Sequence, residues 1–194
     1  MGQGRSDVAR AHAECWADPT LRLDTARRLY AWRFGRVFPH RDIAVLRGIE
    51  GARIKESYKL VAQKFGIPWQ GRRYDRDNPG AADLPNQALN HAATFVEAAA
   101  DIAVAAVGAL PPLGFIHEDS SNAFTLDLAD LYRVDVTLPL AFAAVSAVRE
   151  GKADNLEREV RRRAAKLFRQ EKLIPRMIDR LKELFHVDDR GSDA

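Results

Sequence analysis

Residues 86–109 read NQALNHAATFVEAAADIAVAAVGA, and this stretch decides the fold class. Its polar residues gather early, at Asn86, Gln87, Asn90 and His91, and the remainder is almost wholly apolar. It is too long for a strand and shows no alternation of period two, so it is read as a helix. A helix apolar on every side needs neighbours on every side. It is therefore expected at the centre of a bundle.

The flanking sequence supplies those neighbours. Thr20–Phe34 carries Leu21, Leu23, Ala26, Leu29, Tyr30 and Phe34 at helical spacing, with arginines between them. Asp18 and Pro19 start that helix, because proline suits a first helical position, and Gly35 and Pro39 punctuate its end. An earlier helix opens at Ser6-Asp7 and runs to about Trp16. Asp42–Phe65 places Leu46, Ile49, Ile54, Tyr58 and Val61 on one side, with Arg47 and Glu50 beside the seam, and stops at Gly66. Downstream, a helix over Leu126–Val134 must kink or restart at Pro139. Ala141–Arg149 then reads as a buried helix, Ala153–Lys172 as a charged one, and Leu173–Phe185 as an amphipathic one with Pro175 in its first turn. No internal repeat or useful β-alternation occurs. The expected fold is all-α, a helical bundle. Residues 1–18 form a linker and first helix, 19–186 the helical domain, and 187–194 a disordered tail.

Composition narrows the function. Of 194 residues, 46% are hydrophobic, which supports a packed core and argues against disorder. The net charge of +3 permits a nucleic-acid partner without demanding one. Cys15 is the only cysteine, so no disulfide can form within the chain, and a cytoplasmic setting is expected. The N-terminal residues carry no apolar signal core. No apolar run reaches membrane-spanning length, so no membrane partner is expected. Gly66–Pro85, GIPWQGRRYDRDNPGAADLP, breaks the helical pattern and displays Trp69 and Tyr74. A loop this long in a compact domain is usually functional or mobile.

The chemistry-bearing stretch is Gly114–Asp135, GFIHEDSSNAFTLDLADLYRVD. It sets His117 ahead of a helix whose Asp127 and Asp130 share a face at a spacing of three. On this reading the acids lie in the first helical turns, where the dipole favours negative charge. Spacing alone leaves two readings. Imidazole facing carboxylates suits magnesium or manganese, and acids near a helix start also serve as plain caps.

Three segments taken together are more specific: LRGIEGARIKESY (46–58), WQGRRYD (69–75) and the His117 stretch. In this order and spacing they resemble the CRISPR-associated integrase of spacer acquisition, a metal-dependent DNA endonuclease, and the RGIEG and GRRYD wording resembles its type I-E branch. The likeness covers nearly the whole chain. It implies that Glu50, His117 and Asp130 bind Mg2+ or Mn2+, with Asp127 as a supporting acid of the catalytic set. It implies insertion of spacer DNA into the CRISPR array by phosphodiester transesterification. Implied partners are double-stranded DNA (protospacer and repeat), a second copy in a homodimer, and a small ferredoxin-like adaptation protein.

DNA contacts fall to the basic residues, since phosphate binding needs them. Arg47, Arg53, Lys55, Arg72 and Arg73 lie near the acidic site in sequence, and Arg158, Arg161 and Arg162 share one side of the late charged helix. A solvated face of local Glu–Arg pairs is the alternative for that helix. By resemblance, Arg158 and Arg161 contact DNA, Tyr74 recognises its end, and Arg133 keeps the charge of a lysine. Glu97 and Ser120 stand where the family has tyrosine and lysine. The family's N-terminal β-domain is missing from this sequence, so a fragment or split product is expected. An idle helical remnant that only binds DNA or a partner is the competing reading. With Glu50, Asp127 and Asp130 close together, an empty site is expected to be strained. Asp130→Asn should then abolish catalysis and leave the metal-free fold as stable or slightly more so.

Overall fold

The computed structural model describes residues 3–37, 42–73 and 82–186. Among these residues the regular structure is helical, with no strand. The helices are α1 (Gln3–Ala17), α2 (Pro19–Phe34), α3 (Ile43–Lys64), α4 (Leu84–Val107), α5 (Ala123–Leu131), α6 (Leu138–Arg149), α7 (Leu156–Gln170) and α8 (Leu173–Leu184), with a π-helical turn over Arg133–Thr137. The all-α expectation holds. No single described helix is long and apolar enough to cross a membrane.

Local chemistry explains the boundaries. Asp18 accepts hydrogen bonds from the Thr20 and Leu21 amides and Pro19 takes the first turn of α2. Gly35 closes α2 in the left-handed region at φ 66°, as a C-terminal glycine does. Asp42 caps α3 through the Ala44 amide at 2.7 Å. Asn155 caps α7 through the Arg158 amide at 2.8 Å. The helix expected over Leu126–Val134 starts and stops earlier. Its last residues enter the π-helical turn, and Pro139 sits in the first turn of α6, where its missing N–H does no harm.

The chain forms two compact units, each assembled from separated segments. The first comprises residues 1–46, 97–131 and 172–194, and the second residues 47–96 and 132–171. In the first unit α2 packs on both α1 and α5. Its buried residues include Leu29 and Tyr30 of α2, Val104 of α4, Phe124 and Leu128 of α5, and Met177 and Leu181 of α8. In the second unit Tyr58 and Ala62 of α3, Leu89 and Ala92 of α4, Phe142 and Val145 of α6 and Val160 of α7 make one apolar cluster. Helix α4 is not buried all round as its composition suggested. Ala98, Ile102 and Ala105 are exposed, with Ile102 at 54%. The small methyl groups of Ala98 and Ala105 make their exposure inexpensive, whereas Ile102 leaves a larger apolar side chain uncovered.

Candidate active site

In the first unit Asp127 organises the His117 loop. Its Oδ2 accepts hydrogen bonds from the amides of Phe115 (2.6 Å) and Ile116 (3.1 Å). Its Oδ1 accepts from the amide of His117 (2.9 Å) and lies 2.7 Å from His117 Nδ1. Helix α5 begins at Ala123, so Asp127 and Asp130 lie beyond its first turn. The dipole account of these acids is therefore replaced. Asp127 is buried because the loop folds its backbone donors onto the carboxylate, which satisfies it without solvent. Gly114 permits that fold. A Cβ there would collide with the His117 carbonyl oxygen and stand 2.7 Å from the Ala123 Cβ.

Two residues of α1 clamp the chain just ahead of this loop. The Trp16 indole N–H donates to the Gly114 carbonyl at 3.1 Å. Fully buried His12 receives the Leu110 amide on Nδ1 at 3.1 Å and donates from Nε2 to the Leu113 carbonyl at 2.8 Å. These bonds fix a neutral tautomer. Burial pushes the His12 pKa down to about 4, outweighing the opposing Leu113 hydrogen bond and the Asp127 charge. The ring packs against Phe115, Phe124 and Phe185, with centroids 5.4, 4.2 and 4.7 Å away. Neither clamp was recognised in the sequence. Their signal there was the i, i+4 spacing of His12 and Trp16 on one helix face.

The result is an oriented imidazole. Nδ1 is directed at Asp127, and Nε2 stands 3.9 Å from Asp130 Oδ2. A carboxylate that holds the far ring nitrogen is the usual support of a metal-binding histidine. The donors are imidazole and carboxylate, which fits a hard or borderline divalent ion. Asp130 also meets Arg33, whose Nη1 lies 3.1 Å from the same Oδ2. The first unit thus brings together His117, Asp127 and Asp130, and Glu50 lies half-buried on α3 in the second. Among the described residues no group of three or more His, Cys, Asp and Glu is gathered to hold an ion.

The family model described as CRISPR associated protein Cas1 matches residues 25–170. The chain belongs to the Cas1 family. It is 38% identical over 189 residues to the CRISPR-associated endonuclease Cas1 2 of Thermus thermophilus, covering 94% of this chain and 57% of that protein. It is 35% identical over 189 residues to the CRISPR-associated endonuclease Cas1 1 of Rhodospirillum rubrum, covering 96% of this chain and 60% of that one. The solved TtCas1–DNA complex matches with a TM-score of 0.84 and 36% identity, over 93% of this chain and 66% of that chain. The chain therefore spans about three fifths of the length of these curated Cas1 relatives.

The second unit of this Cas1-family chain carries the candidate DNA contacts. Arg47, Lys55, Arg72, Arg73, Arg158 and Arg161 are exposed, and Arg53 and Arg133 are half-buried. Tyr74 lies outside the described residues. Buried Asn86 holds the segment before it. Its Oδ1 accepts from the Arg73 amide (2.9 Å) and Arg72 Nη1 (3.1 Å), and its Nδ2 donates to the Gly71 carbonyl (3.1 Å) and Asp83 Oδ1 (2.8 Å). Arg72 also donates to Asn90 at 2.6 Å, so neutral amides hold its guanidinium on α4. Arg133 donates to the Tyr58 hydroxyl at 3.4 Å, and Tyr58 stacks on Trp69 at 5.1 Å. On α7, Arg162 and Arg163 both bind buried Glu159, and the Arg162 hydrogen bond holds that carboxyl below the usual range. Arg161 makes an exposed pair with Glu157.

Proposed function

We propose that this chain is the helical catalytic part of a metal-dependent DNA endonuclease and integrase of CRISPR adaptation, joining spacer DNA to the array by phosphodiester transesterification. The observation that carries this reading is the His117 loop wrapped on Asp127, with Nε2 facing Asp130, in a chain of the Cas1 family. His117 and Asp130 of the first unit would hold Mg2+ or Mn2+, and by the family resemblance Glu50 is a metal-binding acid as well. Asp127 is a positioning residue, because its oxygens are already engaged by the loop and the imidazole. Such an ion supplies positive charge against the phosphoryl oxygens of the reacting strand.

The remaining work falls to the protein. Arg47, Arg53, Lys55, Arg72, Arg73, Arg133, Arg158 and Arg161 would hold phosphates, and Tyr74 would meet the end of the incoming DNA. Asn86 would fix the backbone from which Arg72 and Arg73 project. Double-stranded DNA, a second copy of the chain and a small ferredoxin-like protein are the proposed partners. The test is nicking and strand transfer on short duplexes with manganese, comparing the wild type with Glu50→Ala and Asp130→Asn. Activity in the wild type alone supports the reading. DNA binding with no strand transfer in any form would support a binding-only helical domain instead.

A further inference from the structure

We propose that Arg33 is a built-in counter-ion of the metal site, holding Asp130 when no ion is bound and setting how tightly a divalent ion binds there. This rests on the reading of His117 and Asp130 as metal donors. Arg33 lies in the last turn of α2, a helix that packs on α5. Its Nη1 lies 3.1 Å from Asp130 Oδ2, and the two side chains are only 3% and 10% exposed. That same oxygen is the one 3.9 Å from His117 Nε2. One buried carboxylate oxygen therefore faces both the imidazole Nε2 and a permanently charged guanidinium.

The physical consequences oppose each other. A buried carboxylate is costly without a cation, and Arg33 supplies one. Arginine does not lose its proton at any working pH, so this charge is fixed. A divalent ion approaching Oδ2 meets a like charge at the same atom. It must share the carboxylate with Arg33 or displace it. Arg33 thus stabilises the empty site and weakens its grip on the ion, two effects that a purely structural arginine would not couple in opposite directions.

Arg33→Gln separates these effects, since the amide keeps a hydrogen-bond donor and loses the charge. Manganese affinity would be measured by calorimetry, and melting temperature with and without manganese, for the wild type, Arg33→Gln, Arg33→Lys and Asp130→Asn. Arg33→Gln is expected to melt lower without metal, to bind manganese tighter by on the order of tenfold, and to gain more in melting temperature from it. Arg33→Lys, which keeps the charge, should stay near the wild-type affinity. If Arg33→Gln folds only when manganese is added, the proposal is supported. If it stays unfolded with excess manganese, the proposal falls. If the wild type binds and Asp130→Asn does not, yet Arg33→Gln binds no tighter, the role of Arg33 alone is refuted. If no form binds, or all bind alike, the metal reading fails with it.

Discussion

The strap from Leu110 to His117 and the charged face of α7 are both held by polar contacts, and they are built in opposite ways. The strap is tied by buried or half-buried side chains to backbone groups: His12 to Leu110 and Leu113, Trp16 to Gly114, and Asp127 to Phe115, Ile116 and His117. The α7 face is tied to itself by ion pairs such as Arg161–Glu157, whose side chains are 63% and 52% exposed. Buried backbone bonds fix one atom, here Nε2 of His117, to a geometry that chemistry can use. Exposed pairs contribute little and yield readily to a phosphate. The strap is therefore held by buried backbone bonds and the basic face of α7 by exposed ion pairs.

Asp127→Ala is the strongest way to break this contrast. It strands buried backbone donors and releases His117, and should lower stability by about 3–5 kcal/mol in denaturant melts. A loss below about 1 kcal/mol would show that the strap holds without it.

Acid should attack the strap next, through His12. Its pKa is pushed down to about 4 in the fold, against an ordinary value of 6.5. Between these values the unfolded chain binds the proton and the folded one does not. The contribution to stability is therefore intact above pH 6.5 and falls as pH drops towards 4, by about 3 kcal/mol over the whole window. His12→Phe should remove that part of the pH slope, read from melts across the window. An unchanged slope would place the acid sensitivity elsewhere.

Asp130→Asn is expected to have a smaller effect, of a sign that the sequence did not suggest. Carboxylates crowded around an empty site predicted relief on removing one. Arg33 reverses this, since the substitution takes the charge from a buried partner of a guanidinium. Metal-free stability should fall by roughly 1–3 kcal/mol. A melting temperature equal to or above the wild type would restore the strained-site view.

On α7, replacing Arg158 and Arg161 with alanine should change stability by less than about 1 kcal/mol. It should lower the salt dependence of DNA binding by roughly one unit for each phosphate the helix no longer holds. An unchanged slope would make the face a solvated one.

The parts of this structure legible in the sequence were those set by local chemistry. Asp18-Pro19, Gly35 and Gly66 marked helix ends, and apolar spacing gave α2, α3 and α8. The motif residues His117, Asp127 and Asp130 were legible as a set because the His117 loop and α5 are close in sequence. What escaped depended on distant partners. Nothing local distinguishes Arg33 from the other arginines of α2; only packing against α5 buries it. His12 and Trp16 looked like part of a linker until the strap lay against them. The π-helical turn at Arg133–Thr137 escaped because a helical period persists through it while one residue slips.

On the proposed reading, Asp127 fixes the His117 ring so that its Nε2 faces Asp130 and can take an ion. Imidazole nitrogen NMR on the labelled chain tests it directly. The expected result is a proton on Nδ1 of His117, an unprotonated Nε2, and selective broadening of Nε2 by substoichiometric manganese, all abolished in Asp127→Ala. A proton on Nε2 in the metal-free wild type, or an Nε2 signal untouched by manganese, would contradict it.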